Sequence, residues 1–596
     1  MCGIAAVIQT RAGTLPLGAL GQMVSDVQHR GPDGEGTVFL SASMQEMAEA
    51  PDARVGLGHR RLSIIDLSDA ARQPMRRGQL WLTYNGELYN FVELRAELEK
   101  TGAKFETHSD TEVILAAYEA WGTRCFERVN GMWGLVLVDG ARRQAIVSRD
   151  RLGIKPLYIH AQDGWVAFSS EIKQLKRVNP RLKPNTDALT SYLATGYEDQ
   201  SRTFFAQVAP LPPGTWAAYS LDTAQKADAG SYWHPERVQP IVDDADEAAH
   251  ALLAALRLSV KQHLRSDVPV GCALSGGLDS SAVAALTHEL EPKALKTFTA
   301  TFPGLPIDEQ GWARQIVPVV NAQAHYVTPT AEGFLEDLDR FVWLHDEPVG
   351  HLSQYAAWCV ARLTREQKVP VTLNGQGGDE VLSGYWQSYL MHLMTLGRQA
   401  RVLRLAHHLV GTAWGGNPDL LGQFPVMARR FVSRKWAARG TSAATALSRV
   451  LAMNEQERRV FEIREMYLPR LLKWDDRNFM AFSVEGRYPF LDHEVIELTL
   501  SFSPRALYDR GWLKEPLRRA LTGLLPETIV RRRSKLGFET PQQQWLSGPL
   551  GRVAALSDDS WVWQYTPRRA PGNATDEAAQ ETVRLFLADR WLRRFF

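Results

Sequence analysis

The pattern that predicts secondary structure changes once along this chain, and that change limits the folds that the chain can adopt. Residues 1–221 contain short strand-like apolar runs separated by Gly, Asp and Asn turns, with helical periodicity only at 91–100 and 111–121. Many strands with few helices favour sheets that are covered by helices. From residue 246 onward helix and strand signals alternate, which indicates βα units and a parallel sheet.

The length of the chain and the position of this change predict two domains. A chain of 596 residues exceeds the usual size of a single domain. We therefore expect an α+β domain over residues 2–221, a polar linker over 222–245, and an α/β domain with many helices over 246–596.

Composition excludes several classes of protein. The 68 Lys and Arg residues nearly balance the 67 Asp and Glu residues, whereas a protein that binds nucleic acid through counterion release carries a larger basic excess. Four cysteines cannot form a disulfide framework in this length and fit a reducing compartment. No apolar run reaches the roughly 18–20 residues that cross a bilayer. We therefore expect a cytoplasmic protein with no nucleic-acid or membrane partner.

Cys2 stands directly after the initiator methionine, at the start of an apolar run that predicts a buried strand. If Met1 is removed, Cys2 carries both a thiol and a free α-amine, whose pKa of about 7.7–8 leaves part of it unprotonated at neutral pH. The amine can then accept the thiol proton, so that nucleophile and base lie on one residue. The alternative is that Cys2 is a small buried residue that only packs.

Four short motifs downstream favour the catalytic interpretation of Cys2. They are HRGPDG at 29–34, RLSI at 61–64, NGELYN at 85–90 and SD at 109–110. Together with the CGI start, their order and spacing resemble the glutaminase domain of the N-terminal-nucleophile amidotransferases of the asparagine synthetase type. That resemblance implies an αββα sandwich, in which two β-sheets lie between helices, and hydrolysis of glutamine with release of ammonia.

The same resemblance implies a role for five further positions. The Asn85 side chain and the Gly86 backbone N–H would donate to the oxyanion that develops during acyl transfer. Arg61 would bind the α-carboxylate of glutamine, because its planar guanidinium pairs with a carboxylate through two bonds. Glu87 and Asp110 would receive the α-ammonium.

These motifs also have purely structural interpretations. Asn-Gly at 85–86 is the strongest short-range signal for a hairpin turn. Asp110 would cap a helix that begins at Thr111, and Arg30 with Asp33 would form a solvated pair in a loop. The combination of all these residues with Cys2 favours the glutaminase interpretation.

A glycine-rich loop carries the chemistry of the second domain. Residues 275–281 have the sequence SGGLDSS, between a predicted strand at 269–274 and a predicted helix at 280–290. Such a loop presents backbone N–H groups and the positive end of a helix dipole to an anion. Because no Gly-Lys-Ser/Thr follows, it is not a Walker A loop. It resembles the pyrophosphatase-type loop of enzymes that split ATP into AMP and pyrophosphate while adenylating a substrate; the alternative is a glycine-rich turn with serine caps.

This second resemblance implies an ATP site and a Mg²⁺ site at the carboxyl ends of parallel strands. Asp279 and Asp379 would bind Mg²⁺, which prefers hard oxygen ligands. Lys535, in the RRSKLGF segment at 532–538, would stabilise charge on the leaving pyrophosphate, although a basic run is also typical of a solvated face. The implied nucleotide contacts are Leu274, Ser275, Gly276, Gly277, Asp279, Ser280, Ala300, Asn374 and Gly375.

Gln376, in the GQGGDE segment at 375–380, departs from the family pattern. Many asparagine synthetases have Glu there, and an amide cannot accept a proton as a carboxylate does. Either that step needs no base at this position, or Glu347 or Glu380 supplies one, and Gln376 would then donate a hydrogen bond to an acyl oxygen. The EGRYPFLD segment at 485–492 also resembles the family and is interpreted as architectural.

The resemblance covers almost the whole chain and implies one reaction in two sites. Cys2 would release ammonia from glutamine, a carboxylate would attack the α-phosphorus of ATP, and ammonia passed through an internal channel would displace AMP. Aspartate is the implied acceptor, and a homodimer is the assembly considered. The alternatives are another carboxylate, intramolecular amide closure as in β-lactam and lasso-peptide cyclases, and a non-catalytic glutamine or nucleotide sensor. The complete glutaminase motif set argues against closure, and the retained Cys2, Asp279, Asp379 and Lys535 argue against a sensor.

Overall fold

The computed structural model describes residues 2–11, 18–48, 52–414, 453–533, 539–568 and 576–596. In the first part of the chain, the strands are β1 (Gly3–Gln9), β2 (Gly34–Leu40), β3 (Glu46–Met47), β4 (Val55–Arg61), β5 (Met75–Arg77), β6 (Leu80–Leu88), β7 (Gly131–Asp139), β8 (Gln144–Arg149), β9 (Tyr158–Gln162), β10 (Trp165–Ser169), β11 (Ala209–Pro210), β12 (Thr215–Ser220) and β13 (Lys226–Ser231). The helices there are α1 (Gly18–Ser25), α2 (Phe91–Lys100), α3 (Asp110–Trp121), α4 (Cys125–Arg128), α5 (Ile172–Leu175) and α6 (Thr186–Thr195).

This first part folds into antiparallel sheets that pack face to face. One sheet has the strand order β11-β9-β10-β1-β4-β2-β3, and the other has the order β13-β12-β8-β7-β6-β5. On β1, Ile4 and Ile8 belong to the apolar core between the sheets, together with Val136 of β7. Ala5 and Val7 point to the opposite face and pack with α1. β1 is therefore buried on both faces, which explains its continuous apolar sequence.

Helices cover the outer faces of both sheets. α1 and α5 contact the first sheet, and α3 contacts the second sheet with α2 packed against it. The predicted αββα sandwich is confirmed. β13 lies inside the segment 222–245 that was predicted as a linker; it is mostly exposed and pairs with β12 at the edge of the second sheet, which accounts for its polar sequence.

In the second part of the chain, the strands are β14 (Val270–Ala273), β15 (Leu295–Ala300), β16 (Ala322–Val327), β17 (Val371–Leu373) and β18 (Glu485–Arg487). The helices are α7 (Ala245–His263), α8 (Leu278–Leu290), α9 (Gln310–Ile316), α10 (Ala331–His345), α11 (Ser353–Glu366), α12 (Gly378–Val381), α13 (Trp386–Arg398), α14 (Val402–Trp414), α15 (Glu455–Phe461), α16 (Leu468–Met480), α17 (His493–Leu500), α18 (Pro504–Leu507), α19 (Glu515–Ala520), α20 (Glu527–Val530), α21 (Gln542–Ser547), α22 (Pro549–Ala554) and α23 (Asp576–Phe595).

The strands of the second part form a parallel sheet in the order β16-β15-β14-β17-β18. Residues of α7 and α8 share one apolar core with the sheet, and residues of α10 and α11 share another. The predicted α/β fold with many helices is confirmed. Because the strands are parallel, the loops that follow β14, β15 and β17 meet at one edge of the sheet, where ligands of such folds bind.

The two parts of the chain pack directly against each other. Tyr158 and Trp165 of the first sheet belong to one apolar cluster with Trp474 of α16 and Trp591 of α23. Among the helices of the described residues, none combines the length and the apolar character needed to cross a membrane.

Candidate active sites

Cys2 is buried at the start of β1, next to the second sheet. Its backbone N donates to Asn85 Oδ1 of β6 at 2.9 Å, and its carbonyl oxygen accepts from Arg30 Nε at 3.0 Å. Burial raises the pKa of the Cys2 thiol, while the Leu62 backbone N–H that faces the thiol lowers it. A neutral buried thiol needs a base within reach before it can act as a nucleophile. The nitrogen that Asn85 holds is the atom that becomes the α-amine if Met1 is removed.

Asn85 and Gly86 lie within β6, and β6 pairs with β7 across both residues. The hairpin-turn alternative is therefore wrong, because the strand continues through the Asn-Gly pair to Leu88. Since Asn85 Oδ1 accepts from Cys2, the amide presents Nδ2 on its other side, and Nδ2 is buried with no hydrogen-bond partner among the described residues. A Cβ at Gly86 would lie 2.1 Å from the Met132 carbonyl oxygen. An unpaired buried donor beside a thiol suits a developing oxyanion.

Arg61 ends β4, and its charge lowers the pKa of the Cys2 thiol. Arg61 Nη1 donates to the Ser68 carbonyl at 2.8 Å, and Nη2 donates to the Asp66 carbonyl. These bonds orient a guanidinium that has five N–H donors in total, so the following loop fixes Arg61 beside the thiol.

Asp110 is buried against the end of β6. Its Oδ2 accepts from the Leu88 backbone N at 3.0 Å and from the Tyr84 hydroxyl at 3.2 Å. α3 begins at Asp110, and Ser109 caps it through a bond from the Thr111 N–H at 3.1 Å. The capping alternative for Asp110 is therefore wrong: Ser109 has that role, and the Asp110 carboxylate faces the strand.

Glu87 is buried, and its Oε2 has no hydrogen-bond partner among the described residues. Burial raises the pKa of Glu87 well above its ordinary value, and the nearby carboxylates of Glu485 and Asp110 act in the same direction. Arg487 Nη2 lies 3.8 Å from Glu87 Oε2, which is too far for a hydrogen bond. A buried carboxyl oxygen without a donor suits an α-ammonium, which would bring both a positive charge and N–H groups.

Arg30 is fully buried and joins the two parts of the chain. Besides the Cys2 carbonyl, it binds Glu171 Oε1 at 2.9 Å and Asp476 of α16 at 2.9 and 3.0 Å. The solvated-pair alternative for Arg30 is wrong, because its partners are buried carboxylates rather than a loop residue in water.

Arg487 is a residue that sequence reasoning did not place in either site. Its backbone carbonyl accepts from the Asn374 N at 2.8 Å, and its Nε donates to Glu485 Oε1 at 2.6 Å. The segment interpreted as architectural therefore contacts a predicted ATP-site residue through its main chain and approaches Glu87 through a side chain. This arrangement depends on the pairing of β17 with β18, which are distant in sequence, so no local signal could have found it.

The SGGLDSS loop lies between β14 and α8 at the carboxyl edge of the parallel sheet. Gly276 has a φ of +70°, and a Cβ there would lie 2.4 Å from the backbone of α9. Gly277, the N-cap of α8, provides no side-chain acceptor for the first turn, which leaves backbone N–H groups to meet an anion. Ser275 Oγ accepts from the Gly277 N at 3.2 Å and lies 3.1 Å from Ser280 Oγ, so these serines shape the loop itself.

The loop after β17 approaches the SGGLDSS loop closely. A Cβ at Gly375 would lie 2.5 Å from the Ser280 N, and a Cβ at Gly378 would lie 2.6 Å from Asp279 Cγ. Gln376 is half-buried between these two glycines. The predicted nucleotide contacts that the structure brings to this edge of the sheet are Leu274, Ser275, Gly276, Gly277, Asp279, Ser280, Ala300, Asn374 and Gly375.

Asp279 and Asp379, the predicted Mg²⁺ ligands, face each other across these loops, and Lys514 lies between them. Lys514 Nζ is 2.6 Å from Asp279 Oδ2 and 2.8 Å from Asp379 Oδ1. Two carboxylates without a third acidic or His ligand fit Mg²⁺, which binds through one or two carboxylates and completes its shell with water and phosphate oxygens. In the described ranges, no cluster of three or more His, Cys, Asp or Glu side chains could hold a metal ion.

The other predicted residues of this site have different outcomes. Lys535 lies at 534–538, outside the described residues. Glu347 lies at the contact with the first part of the chain, where it pairs with Lys473 Nζ at 2.6 Å and accepts from the Phe204 N at 2.7 Å. Glu380 is buried in α12 next to Asp379 and accepts from the Tyr385 hydroxyl.

Comparisons with known proteins agree with both parts of this description. A family model for a glutamine amidotransferase domain matches residues 1–233, and one for asparagine synthase matches residues 251–583. A putative asparagine synthetase [glutamine-hydrolyzing] of Mycobacterium tuberculosis is 31% identical over 97% of this chain and 92% of its own length.

Two further relatives show the range of names among similar proteins. Asparagine synthetase [glutamine-hydrolyzing] 1 of Bacillus subtilis is 28% identical over 89% of this chain and 85% of its own length. Amidase chry2 of Gibberella zeae is 27% identical over 92% of this chain and 90% of its own length. The chain belongs to the asparagine synthase family of glutamine-dependent amidotransferases.

Proposed function

We propose that this protein transfers the amide nitrogen of glutamine to the side-chain carboxylate of aspartate, forming asparagine, glutamate, AMP and pyrophosphate. The glutaminase domain is proposed to comprise residues 2–221 with β13 as an edge strand beyond it, and the synthetase domain to comprise residues 246–596. The observation that carries the proposal is the hydrogen bonding of Asn85. Its amide oxygen holds the Cys2 nitrogen at 2.9 Å, and its amide nitrogen is a buried donor without a partner among the described residues.

The glutaminase half-reaction uses Cys2 as the nucleophile. After removal of Met1, the Cys2 α-amine accepts the thiol proton, and the sulfur attacks the side-chain carbonyl carbon of glutamine. Asn85 Nδ2 and the Gly86 N–H donate to the oxyanion. The proton then passes to the leaving nitrogen, ammonia departs, and water hydrolyses the thioester to glutamate. Arg61 binds the α-carboxylate of glutamine, and Glu87 with Asp110 receives the α-ammonium.

The synthetase half-reaction takes place where the loops after β14 and β17 meet. An oxygen of the acceptor carboxylate attacks the α-phosphorus of ATP, pyrophosphate leaves, and ammonia then displaces AMP from the acyl-adenylate. The SGGLDSS loop binds phosphate oxygens through its N–H groups, and Lys535 adds positive charge. Asp279 and Asp379 would hold Mg²⁺, which would neutralise negative charge on the pyrophosphate.

A second candidate is the same chemistry on a different carboxylate. Gln376 favours it, because this position carries a neutral amide within the loop that contacts the ATP site, and one similar protein has the name of an amidase. A Gln376 amide can donate to an acyl oxygen but cannot serve as a base.

A screen for ATP-dependent pyrophosphate release tests both candidates. Aspartate should give the largest rate in a panel of carboxylates, and glutamine labelled with ¹⁵N in its amide should place the label in asparagine. If pyrophosphate is released only with another carboxylate, that carboxylate is the acceptor instead of aspartate. Formation of ADP instead of AMP, or full glutamine-dependent activity in protein that retains Met1, would contradict the mechanism.

A further inference from the structure

Lys514 is a buried cation in the synthetase site that no motif predicts. Its side chain comes from the residue before α19 and is only 4% exposed. Lys514 Nζ lies 2.7 and 2.6 Å from the two carboxylate oxygens of Asp279 and 2.8 Å from Asp379 Oδ1. One ammonium therefore bridges two carboxylates that belong to different strand-end loops.

The surrounding backbone is built to place this ammonium. Lys514 itself has a φ of +55°, a left-handed conformation that non-glycine residues rarely adopt and that carries strain. Gly384 lies against it, since a Cβ at Gly384 would be 2.1 Å from Lys514 Cε and 2.2 Å from Asp379 Oδ1. Any side chain at Gly384 would therefore push the lysine away from the carboxylates.

The Lys514 ammonium reduces the electrostatic repulsion between the two carboxylates. Two half-buried carboxylates repel each other, and their proximity is costly without a counter-charge. The lysine neutralises one of the two negative charges. Both carboxylates lie within hydrogen-bonding distance of its single ammonium group. A divalent cation with phosphate ligands would place its positive charge on the same oxygens, so the ammonium and the metal compete for them.

We propose that Lys514 is an exchangeable counter-ion of the synthetase site, which holds Asp279 and Asp379 together before the nucleotide binds and then moves its ammonium to the pyrophosphate oxygens. The proposal rests on the proposed function of these two aspartates as Mg²⁺ ligands. The lysine has three N–H donors on a flexible stem, so the ammonium can change partners without movement of the main chain. When the nucleotide is bound, Lys514 is a phosphate-binding residue.

This role makes predictions of opposite sign for two ligands. In Lys514→Met, the two carboxylates lose their internal cation, so Mn²⁺ added without nucleotide should bind about tenfold more tightly than to the unmodified protein. Inorganic pyrophosphate added with Mg²⁺ should bind about tenfold or more weakly, because a charged hydrogen bond to the phosphate is lost. A purely structural lysine would not change these two affinities in opposite directions.

Lys473 provides a matched control. It is a half-buried lysine between two carboxylates, with Glu347 Oε2 at 2.6 Å and Glu198 on its other side, and it lies at the contact between the two parts of the chain. Lys473→Met should leave both affinities within about twofold of the unmodified protein, because ligand contacts are not removed.

The experiment measures Mn²⁺ binding by electron paramagnetic resonance and pyrophosphate binding by calorimetry on the full-length protein. Thermal unfolding is measured first, and Lys514→Gln, whose neutral amide has N–H donors but no charge, replaces the methionine variant if that one does not fold. Tighter Mn²⁺ binding with weaker pyrophosphate binding supports the proposal. Unchanged or parallel shifts, or equal shifts in Lys473→Met, overturn it. ATP–pyrophosphate exchange in the unmodified protein tests the proposed function separately, and the two titrations decide the role of Lys514 whatever its result.

Discussion

The two candidate sites use opposite means to position their polar groups. In the glutaminase site, Cys2 directly precedes β1 of the first sheet and Asn85 lies on β6 of the second sheet. The polar atoms without partners there are buried donors or acceptors such as Asn85 Nδ2. In the synthetase site, Asp279 and Asp379 lie on glycine loops beyond the strand ends, and an internal lysine bridges them.

This difference shows how each site holds its polar groups in position. The sheets hold the glutaminase residues in place, so buried polar atoms without partners remain there. Packing of the surrounding core offsets the free-energy cost of burying these atoms. Loops cannot fix a pair of like charges in the same way, and the synthetase site uses a counter-ion of its own. We therefore expect a change in either site to alter mainly the half-reaction of that site.

Replacement of the nucleophile should have the largest effect. Cys2→Ala should lower glutaminase activity by at least about 10⁴-fold, because no other group can form the thioester, while ammonium-dependent product formation continues. Glutamate release and product formation with added ammonium are measured in parallel. Cys125→Ala, at another buried cysteine of the same part of the chain, is the control and should keep both activities. Equal loss of both activities in Cys2→Ala would contradict the assignment of the two half-reactions to separate sites.

Removal of a metal ligand should have the next largest effect. Asp279→Ala should lower ATP–pyrophosphate exchange on the order of 10³-fold, with glutaminase activity largely retained. Asp337→Ala removes a carboxylate that pairs with Arg362 between α10 and α11 and should keep the exchange reaction. Loss of glutamine hydrolysis in a folded Asp279→Ala protein would show that the two sites are not separate in the way described.

Loss of the oxyanion donor should have a smaller effect. Asn85→Ala should lower kcat for glutamine by about 10²–10³-fold and leave ammonium-dependent activity unchanged. Asn90→Ala is the matched control, since Asn90 belongs to the same motif but bonds to Arg128 and Asn130. An unchanged kcat in Asn85→Ala would exclude the amide from the oxyanion site.

The smallest expected effect is a dependence of glutamine binding on pH. Burial raises the pKa of Glu87, so the carboxyl group is neutral below that pKa and must lose its proton to pair with the α-ammonium of glutamine. KM for glutamine should therefore fall as the pH rises toward the raised pKa of Glu87, by up to tenfold per pH unit. Glu87→Gln should abolish this slope, and a KM in the unmodified protein that is independent of pH would contradict the role of Glu87.

The sequence predicts those features that depend on local motifs. Cys2, the NGELYN motif and SGGLDSS lead to the two parts of the fold and to most candidate residues, because each motif combines a backbone conformation with a chemical group. Local signals also mislead: Asn-Gly at 85–86 suggests a turn, yet pairing of β6 with β7 overrides that propensity. The polar segment at 222–245 suggests a linker, yet residues 226–231 within it form an exposed edge strand, which has a similarly polar composition.

The sequence does not predict contacts between distant segments. Lys514 reaches Asp279 and Asp379 only because α19 returns to the end of the parallel sheet, and Arg487 approaches Glu87 only because the two parts of the chain pack together. Neither residue lies in a motif with a known chemical meaning, so tertiary structure is required to find them.

The burial of Arg30 limits how this protein can be divided. Its guanidinium holds the Cys2 carbonyl and is neutralised by Asp476, a residue of the other part of the chain. A fragment that ends before α7 would leave this arginine with only Glu171 and would open the surface that Tyr158 and Trp165 share with α16 and α23. Production of the glutaminase part as an isolated reagent therefore calls for a substitution that restores the missing carboxylate, or for co-expression with the remainder of the polypeptide.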